Sequence, residues 1–362
     1  MIDQLIDKKI AASLTLLSNE QAENGYFRTY DMQPNYGSGM VWREYEKNGF
    51  VTANILVPLA SIRSKVAMEL LRHGYKATIG NKNKYGLWQY FNDKNEAYFI
   101  PYETDTSSLF SYVALKLNKP ENNKELFYEQ INKDEHFNLW FLPNYISVFN
   151  HPFYKLNVWL NWNKAQKRLA FINKLVARED AEFCVSANVL LYLGANEHTQ
   201  QVVQNLVAVV KSNAPIPLLY YPHQLIACYL FSRAAYYANI EEFLACREEI
   251  KTRVFTALNS LTEPDELLKL LAAVSLLIFN EENDSANKLY EECIGFDKII
   301  NQPFAFYCSN SLIDYNFETS LHNAYFGAPA LTIAIYIEFL NLFRIKKTGR
   351  SFSVLLEYKV DG

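Results

Sequence analysis

Residues 21–27 read QAENGYF and close the first helical stretch of a 362-residue chain. A glutamine at a helix end can bond the orphaned backbone groups there, and a glycine permits the sharp exit turn. An aromatic two residues later lies back over the helix ends as a plug. The pattern returns as KNKYGLW at 82–88, so Gly25 and Gly86, and likewise Phe27 and Trp88, stand 61 positions apart. One spacing held at two positions marks an internal repeat. Each copy leads through a polar loop into a run that is apolar nearly all round, NGFVTANILVPL after the first and ETDTSSLFSYVAL after the second. NQPFAFY at 301–307, ahead of YFGAPALTIAIYIEFL, reads as a degraded third copy.

The unit is therefore loop, turn and buried helix, and the rest of the chain repeats it. Apolar residues at i, i+3 and i+4 predict helices over 2–18, 51–60, 62–74, 106–117, 121–132, 153–161, 164–176, 183–193, 197–211, 222–238, 241–259, 265–279, 284–294 and 328–344. Strand-like alternation is confined to FSVLLEYKV at 352–360. Two kinds of helix alternate. VTANILVPLA, TSSLFSYVALKL, FCVSANVLLYL, HQLIACYLFSRAAYY, ELLKLLAAVSLLIF and PALTIAIYIEFLNLF lack a polar face and must be surrounded by protein, whereas SIRSKVAMELLRHG, EHTQQVVQNLVAVVK and their like keep one wet face. Six buried helices alternating with amphipathic ones predict an all-α fold, an (α/α)6 toroid of inner and outer rings. No Pro/Gly-rich linker divides it, so 1–362 is expected to be one domain.

Bulk composition narrows the function. Half the residues are hydrophobic, enough for a large core without staples. The net charge is −4 with no Lys/Arg cluster on one face, which argues against a surface that tracks phosphates in nucleic acid. Five cysteines, Cys184, Cys228, Cys246, Cys293 and Cys308, sit in apolar helical contexts and read as reduced, buried thiols. The charged start MIDQLIDKKI and the short LLKLLAAVSLLIF at 267–279 predict a cytoplasmic protein without a signal peptide or a bilayer span. Aromatics are abundant, with 25 Tyr, 24 Phe and 5 Trp, so either the core or a cavity is unusually aromatic.

Gln21, Gly25 and Phe27, with Gly86 and Trp88, resemble the Q-x3-G-x-W repeat of squalene–hopene cyclases and the wider prenyltransferase/squalene-cyclase toroid family. That resemblance implies a class II terpenoid cyclase. In that family the middle Asp of a D-x-D-D-T motif, at the N-terminal end of an inner helix, protonates an alkene or epoxide. ETDTSS places Glu103 at the first acid, Asp105 at the middle one and Thr106 at the third. Protonating carbon needs a carboxylic acid kept neutral, and an adjacent carboxylate raises one pKa of the pair. The same residues also read as a helix cap, since Asp and Ser/Thr accept N–H bonds in a first turn. Thr106 in place of the third acid leaves a non-catalytic binder of an isoprenoid or lipid as the alternative.

Aromatic faces stabilise a carbocation by about 0.5–2 kcal/mol each without quenching it. Trp42, Trp88, Tyr90, Phe91, Tyr102, Tyr220, Tyr221, Phe306, Tyr307 and Tyr325, with His223, fall just before inner helices, where a toroid opens its cavity. They are the expected lining for a hydrophobic small molecule, an isoprenoid or polyene, with peripheral membrane contact as a further expectation. Three rival motifs compete. DEHFN at 134–138 and NDSANKLYE at 283–291 resemble class I magnesium motifs but read better as a loop and a capped outer helix. Glu182 and Cys184 with His223 or His322 are a loose analogue of the prenyltransferase zinc site. Glu103 and Asp105 with Glu318 would suit a toroid that cleaves sugars between two carboxyl groups. The expectation is no cofactor and no catalytic metal.

Overall fold

The computed structural model describes residues 2–35, 39–45, 48–90, 102–141, 182–212, 214–261, 265–296, 307–309, 324–350 and 353–354, of which 2, 31–35, 39–45, 307–309, 324–326 and 353–354 are described as backbone alone. Its helices are α1 (Ile2–Glu20), α2 (Gly49–Leu59), α3 (Lys65–Thr78), α4 (Thr104–Lys116), α5 (Lys124–Tyr128), α6 (Phe183–Leu193), α7 (Gln200–Lys211), α8 (Gln224–Tyr237), α9 (Glu241–Leu244), α10 (Arg247–Asn259), α11 (Glu266–Ile278), α12 (Asp284–Ile294) and α13 (Pro329–Thr348). Every residue of α2 and of α6 is buried, as are residues 329–343 of α13. Each fully buried Leu, Ile or Phe on these faces contributes roughly 1.5–3 kcal/mol.

Helices apolar on all sides need neighbours on all sides, and a closed ring supplies them. α2 packs on α4, α4 on α6, α6 on α8, α8 on α11, α11 on α13, and α13 returns to α2. Outside this ring α1 lies against α13 and α3, α3 against α2 and α4, α10 against α8 and α11, and α12 against α11. The fold is the expected α/α toroid, and Thr52 and Ser108 are fully buried in its inner helices.

The repeat is a physical unit, with three copies among the described residues. In the first two, Ala22 N–H bonds Tyr26 C=O at 2.9 Å and Asn83 N–H bonds Leu87 C=O at 2.9 Å, closing tight turns with Gly25 at φ 88° and Gly86 at φ 75°. Gln21 donates to the carbonyls of Gly25 and Leu70 at 3.0 and 3.1 Å, fastening the turn to α3. The third copy is INKDEHF at 131–137, where Asn132 N–H bonds His136 C=O at 2.8 Å and Glu135 takes the left-handed position at φ 59°. The plug aromatics Phe27, Trp88 and Phe137 each donate a backbone N–H to a hydroxyl, of Thr52, Ser107 and Ser186 respectively, at 3.5, 2.8 and 3.1 Å. Those hydroxyls occupy the fourth residue of α2, α4 and α6, so each plug locks onto the start of the next inner helix.

Four features differ from expectation. A copy of the repeat that was not expected stands at 131–137, while the copy expected at 301–307 lies outside the described residues except for Tyr307. The helix expected over 121–132 shrinks to α5, and the turn at 131–137 begins within its last two residues. The helix expected over 241–259 breaks at Ala245–Cys246, where Phe243 stacks on Phe231 with centroids 4.0 Å apart and Cys246 is buried. Finally, strands appear where none was expected, β1 (Thr29–Asn35), β2 (Gly39–Tyr45), β3 (Arg63–Ser64), β4 (Tyr307–Ser309) and β5 (Ala324–Gly327), alongside β6 (Ser353–Val354), where strand alternation was expected. β2, β1, β5 and β4 form one antiparallel sheet in that order, while β6, inside the expected FSVLLEYKV strand, pairs in parallel with β3. The helices expected at 153–161 and 164–176 lie outside the described residues.

Candidate active site

Short extended pairings hold the segments that enter the inner helices. Gln89 bridges Tyr102, Glu103 bridges Trp140, and Thr104 N–H bonds Leu139 C=O at 2.7 Å. They fix the start of α4, where Asp105 is the second residue and is only 1% exposed. One carboxylate oxygen, Oδ1, accepts from Asn188 Nδ2 at 2.7 Å, and Oδ2 accepts from the Tyr221 hydroxyl at 2.6 Å. Behind Asn188, Arg233 donates from Nη2 to Asn188 Oδ1 at 2.6 Å. Burial pushes the Asp105 carboxyl up to about 7, against the opposing pull of Tyr221, Asn188 and Arg233.

Glu103, the residue preceding α4, is equally enclosed. Burial, and then the charge of Asp105, push it up to about 8, and its Oε1 accepts the Thr106 hydroxyl hydrogen. Thr106 therefore serves Glu103, while Tyr221 and Asn188 hold Asp105. A third buried acid, Glu182, precedes α6 and is pushed up to about 8 by burial. Its Oε1 accepts the Leu219 and Tyr220 N–H groups at 2.9 and 3.1 Å, and its Oε2 has no partner among the described residues.

Deeper in the ring, Glu338 of α13 accepts the hydroxyls of Tyr229 and Tyr237 at 2.8 and 2.7 Å. Tyr237, at the end of α8, also meets Ser61 just beyond α2 at 3.4 Å, whereas Tyr221, just before α8, meets the start of α4. α2, α4 and α8 thus run in the same direction, with Asp105 at the N-terminal end of the ring. In chemical terms the site is a carboxyl group held protonated near neutrality by burial. Preformed donors wait to receive the anion once the proton has left.

Among the aromatics expected as lining, Tyr90 is buried and stacks on Phe50 at 5.4 Å, and Phe50 meets Tyr221 edge-on at 6.4 Å, an aromatic run that ends at Asp105. Trp88 is fully enclosed between Tyr75 and Phe110, with its indole N–H on Thr78 C=O at 3.1 Å, in the position of a plug. Tyr102 is part-buried in the segment before α4, and its carbonyl accepts Phe141 N–H at 3.0 Å. Tyr220 and Tyr221 are buried side by side before α8. His223 caps α8 by accepting Leu225 N–H at Nδ1 (3.1 Å) and lines a surface groove with Val210 of α7 and Arg253 of α10. Trp42 on β2 and Tyr325 on β5 are both paired with Met32 of β1, so the three share a row, and Tyr307 lies in the adjoining row. Phe91, Phe306, Glu318 and His322 lie outside the described residues.

The residues of the magnesium-like motifs hold structural places. Asp134 and Glu135 belong to the third plug turn, and Asn283 caps the outer helix α12 by accepting Ala286 N–H at 2.8 Å. Cys184 is fully buried with its thiol pushed well above the ordinary range by burial. Among the described residues, no group of three or more His, Cys, Asp or Glu side chains is placed to hold a metal ion. Asn188, Arg233, Glu338 and Phe50 were absent from the expected site. Their signal was a polar or charged residue inside an otherwise apolar helix, which must be paired to be buried at all.

No family model matches the chain, and no curated protein sequence matches it. Among solved structures it is similar to a protein from Actinoplanes, with a TM-score of 0.65 and 13% identity over 93% of this chain and 99% of that one. It is similar to a variant of the type II terpene cyclase MstE from Scytonema in complex with its substrate geranylgeranyl dihydroxybenzoate, with a TM-score of 0.64 and 11% identity over 95% of this chain and 98% of that one. An unsaturated glucuronyl hydrolase specific for heparin aligns with a TM-score of 0.52 and 9% identity over 97% and 100% of the two chains. These likenesses establish the toroid fold, which hosts more than one chemistry. No helix among the described residues is long and apolar enough to cross a membrane.

Proposed function

We propose that this chain is a class II terpenoid cyclase-like protein, one toroid domain over 1–362 in which Asp105 starts the cyclisation of a polyprenyl or polyene substrate. The observation that carries the reading is Asp105 itself: a buried acid on the inner ring, pushed up to about 7 so that a large share stays protonated near neutrality, whose conjugate base meets the Tyr221 hydroxyl and the Asn188 amide. In the first step the carboxyl O–H breaks, a C–H bond forms at the alkene or epoxide terminus, and positive charge develops at carbon while the carboxylate is stabilised in place. Neighbouring alkenes then close rings on that cation, and loss of a proton ends the sequence. Phe50, Tyr90 and Tyr221 offer π faces beside the acid, worth about 0.5–2 kcal/mol each to a cation. Glu103, protonated beside Asp105, adds no second negative charge near neutrality. The isoprenoid-bearing substrate named for MstE supports the same substrate class here.

Thr106 at the third acid position favours the alternative, a toroid that binds an isoprenoid or lipid without turning it over. The two separate with a panel of linear polyprenols, polyprenyl diphosphates and polyenes presented to wild type and Asp105→Asn. Product formed by wild type and lost in Asp105→Asn, with binding retained, supports the cyclase. Binding by both without product from either supports the binder.

A further inference from the structure

Among the described residues Arg233 is the most deeply buried Lys or Arg, at 1% exposure in the middle of α8. An arginine only donates hydrogen bonds. Its Nη2 meets Asn188 Oδ1 at 2.6 Å, so the Asn188 amide must present its oxygen to Arg233 and its NH2 away from it. The two amide hydrogens then point at Asp105 Oδ1 (2.7 Å) and at the Tyr221 hydroxyl oxygen (3.0 Å). With its oxygen accepting from Asn188, Tyr221 has its own hydrogen free for Asp105 Oδ2 at 2.6 Å. Each link leaves the next one orientation.

Resting on the cyclase reading, we propose that Arg233 is the positioning residue of Asp105: by fixing the sense of the Asn188 amide it makes every group bonded to the carboxyl a donor. Both carboxyl oxygens are then occupied by donors, so the acid's own proton is directed away from Asn188 and Tyr221. Chains of aligned hydrogen bonds also strengthen one another in a medium of low dielectric. Without the guanidinium the amide is free to turn its oxygen toward Asp105, which favours the protonated acid and withdraws the donor its anion needs.

The groups around the pair are few. Asp105 is faced by Glu103 on its own helix, Glu182 and Cys184 at the start of α6, Tyr221 ahead of α8, and Arg233 itself, while α2 brings no titratable side chain. Arg233 is faced by Tyr112 of α4, Tyr229 of α8 and Glu338 of α13, with its guanidinium 5.2 Å from the Tyr229 ring centre. Of these, the Glu338 carboxyl is held above its ordinary range by burial. Among these groups Arg233 is the one cation that Asp105 faces.

The test follows the Asp105 carboxyl carbon by NMR in aspartate-labelled protein, its signal assigned by loss in Asp105→Asn, through a pH titration of wild type, Arg233→Gln, Arg233→Lys and Asn188→Leu. The midpoint is expected to rise by about one pH unit or more in Arg233→Gln and in Asn188→Leu, and to stay near wild type in Arg233→Lys, which restores a donor-only cation. An unchanged midpoint in folded Arg233→Gln overturns the proposal, as does an equal rise in the Gln and Lys variants. Should Arg233→Gln fail to fold, an unchanged midpoint in Asn188→Leu overturns it. The readout needs no turnover. A wild type that makes no product from the polyprenyl panel sinks the cyclase reading, while the expected midpoints still establish the role of Arg233.

Discussion

Tyr221 reaches Asp105 from 116 positions further along the chain and donates its hydroxyl hydrogen to Oδ2 at 2.6 Å. The tyrosine stabilises the carboxylate more than the acid, so it lowers a pKa that burial raises. Two consequences oppose each other in Tyr221→Phe. The alkaline limb of the rate–pH profile, where the acid form is lost, is expected to move to higher pH. The plateau is expected to fall about 10-fold or more, because a hydrogen bond to a charged group, worth about 1.5–3 kcal/mol, is missing when the anion forms. Steady-state rates across pH check both, and a lower plateau with an unmoved limb would remove Tyr221 from the acid's control.

Stability is expected to fall as pH rises. Glu103, Asp105 and Glu182 move from ordinary values of 4.5, 3.8 and 4.5 to about 8, 7 and 8 in the folded chain. Between those limits the folded state binds more protons than the unfolded one, so each acid contributes stability that is present at low pH and is lost as pH climbs from about 4 toward 8. The loss is about 1.4 kcal/mol per pH unit for each group within its window. Denaturant midpoints measured from acid to mild alkali should decline, and Glu103→Gln should flatten the decline. A wild-type midpoint constant across that range would contradict the burial of these acids.

The three plug turns make different demands at one position. A Cβ on Gly25 would stand 2.7 Å from the His73 carbonyl oxygen at φ 88°, so Gly25→Ala should destabilise by more than about 1 kcal/mol. Glu135 holds the matching left-handed position at φ 59° with a side chain. Glu135→Gly should therefore stabilise by about 0.5–1 kcal/mol, read as a rise in thermal midpoint. Opposite signs at equivalent positions are the signature sought, and two losses would show that the turns are not equivalent.

Ser107 both accepts from Trp88 N–H at 2.8 Å and donates to Trp88 C=O at 3.2 Å. Ser107→Ala strands the buried Trp88 N–H, while the Trp88 carbonyl keeps the Glu103 N–H at 3.3 Å, and should cost about 1–3 kcal/mol, against about 0.5 kcal/mol for an exposed serine bond such as that of Ser212. Hydrogen exchange at Trp88 should accelerate with it. Protection that survives the substitution would assign the plug's stability to ring packing alone.

Most of the ring was legible because burial leaves a compositional mark: helices surrounded by protein, such as Phe183–Leu193, have no polar face to hide. The repeat gave away the plugs at Gly25 and Gly86, since left-handed backbone selects glycine. The copy at 131–137 escaped because Glu135 accepts the same backbone without the glycine. The sheet was missed in part because β1 and β5 pair across nearly the whole chain, as Tyr30 with Gly327, a pairing that no local alternation records. At the site, Asp105 and Tyr221 were visible one by one. Asn188 and Arg233 were not, because what makes them functional is whom they face across the ring.

The first and last of the described helices lie side by side, and Arg344 of α13 grips Asp7 of α1 at 2.7 Å across 337 positions. A ribosome delivers α1 first and α13 last, so through most of synthesis the inner helices already made stand with an open seam. The apolar flank of α2 that α13 will cover waits through most of that interval for its partner, and that of α11 through its last part. Folding therefore commits late and all at once, and the nascent chain is the form most in need of a chaperone.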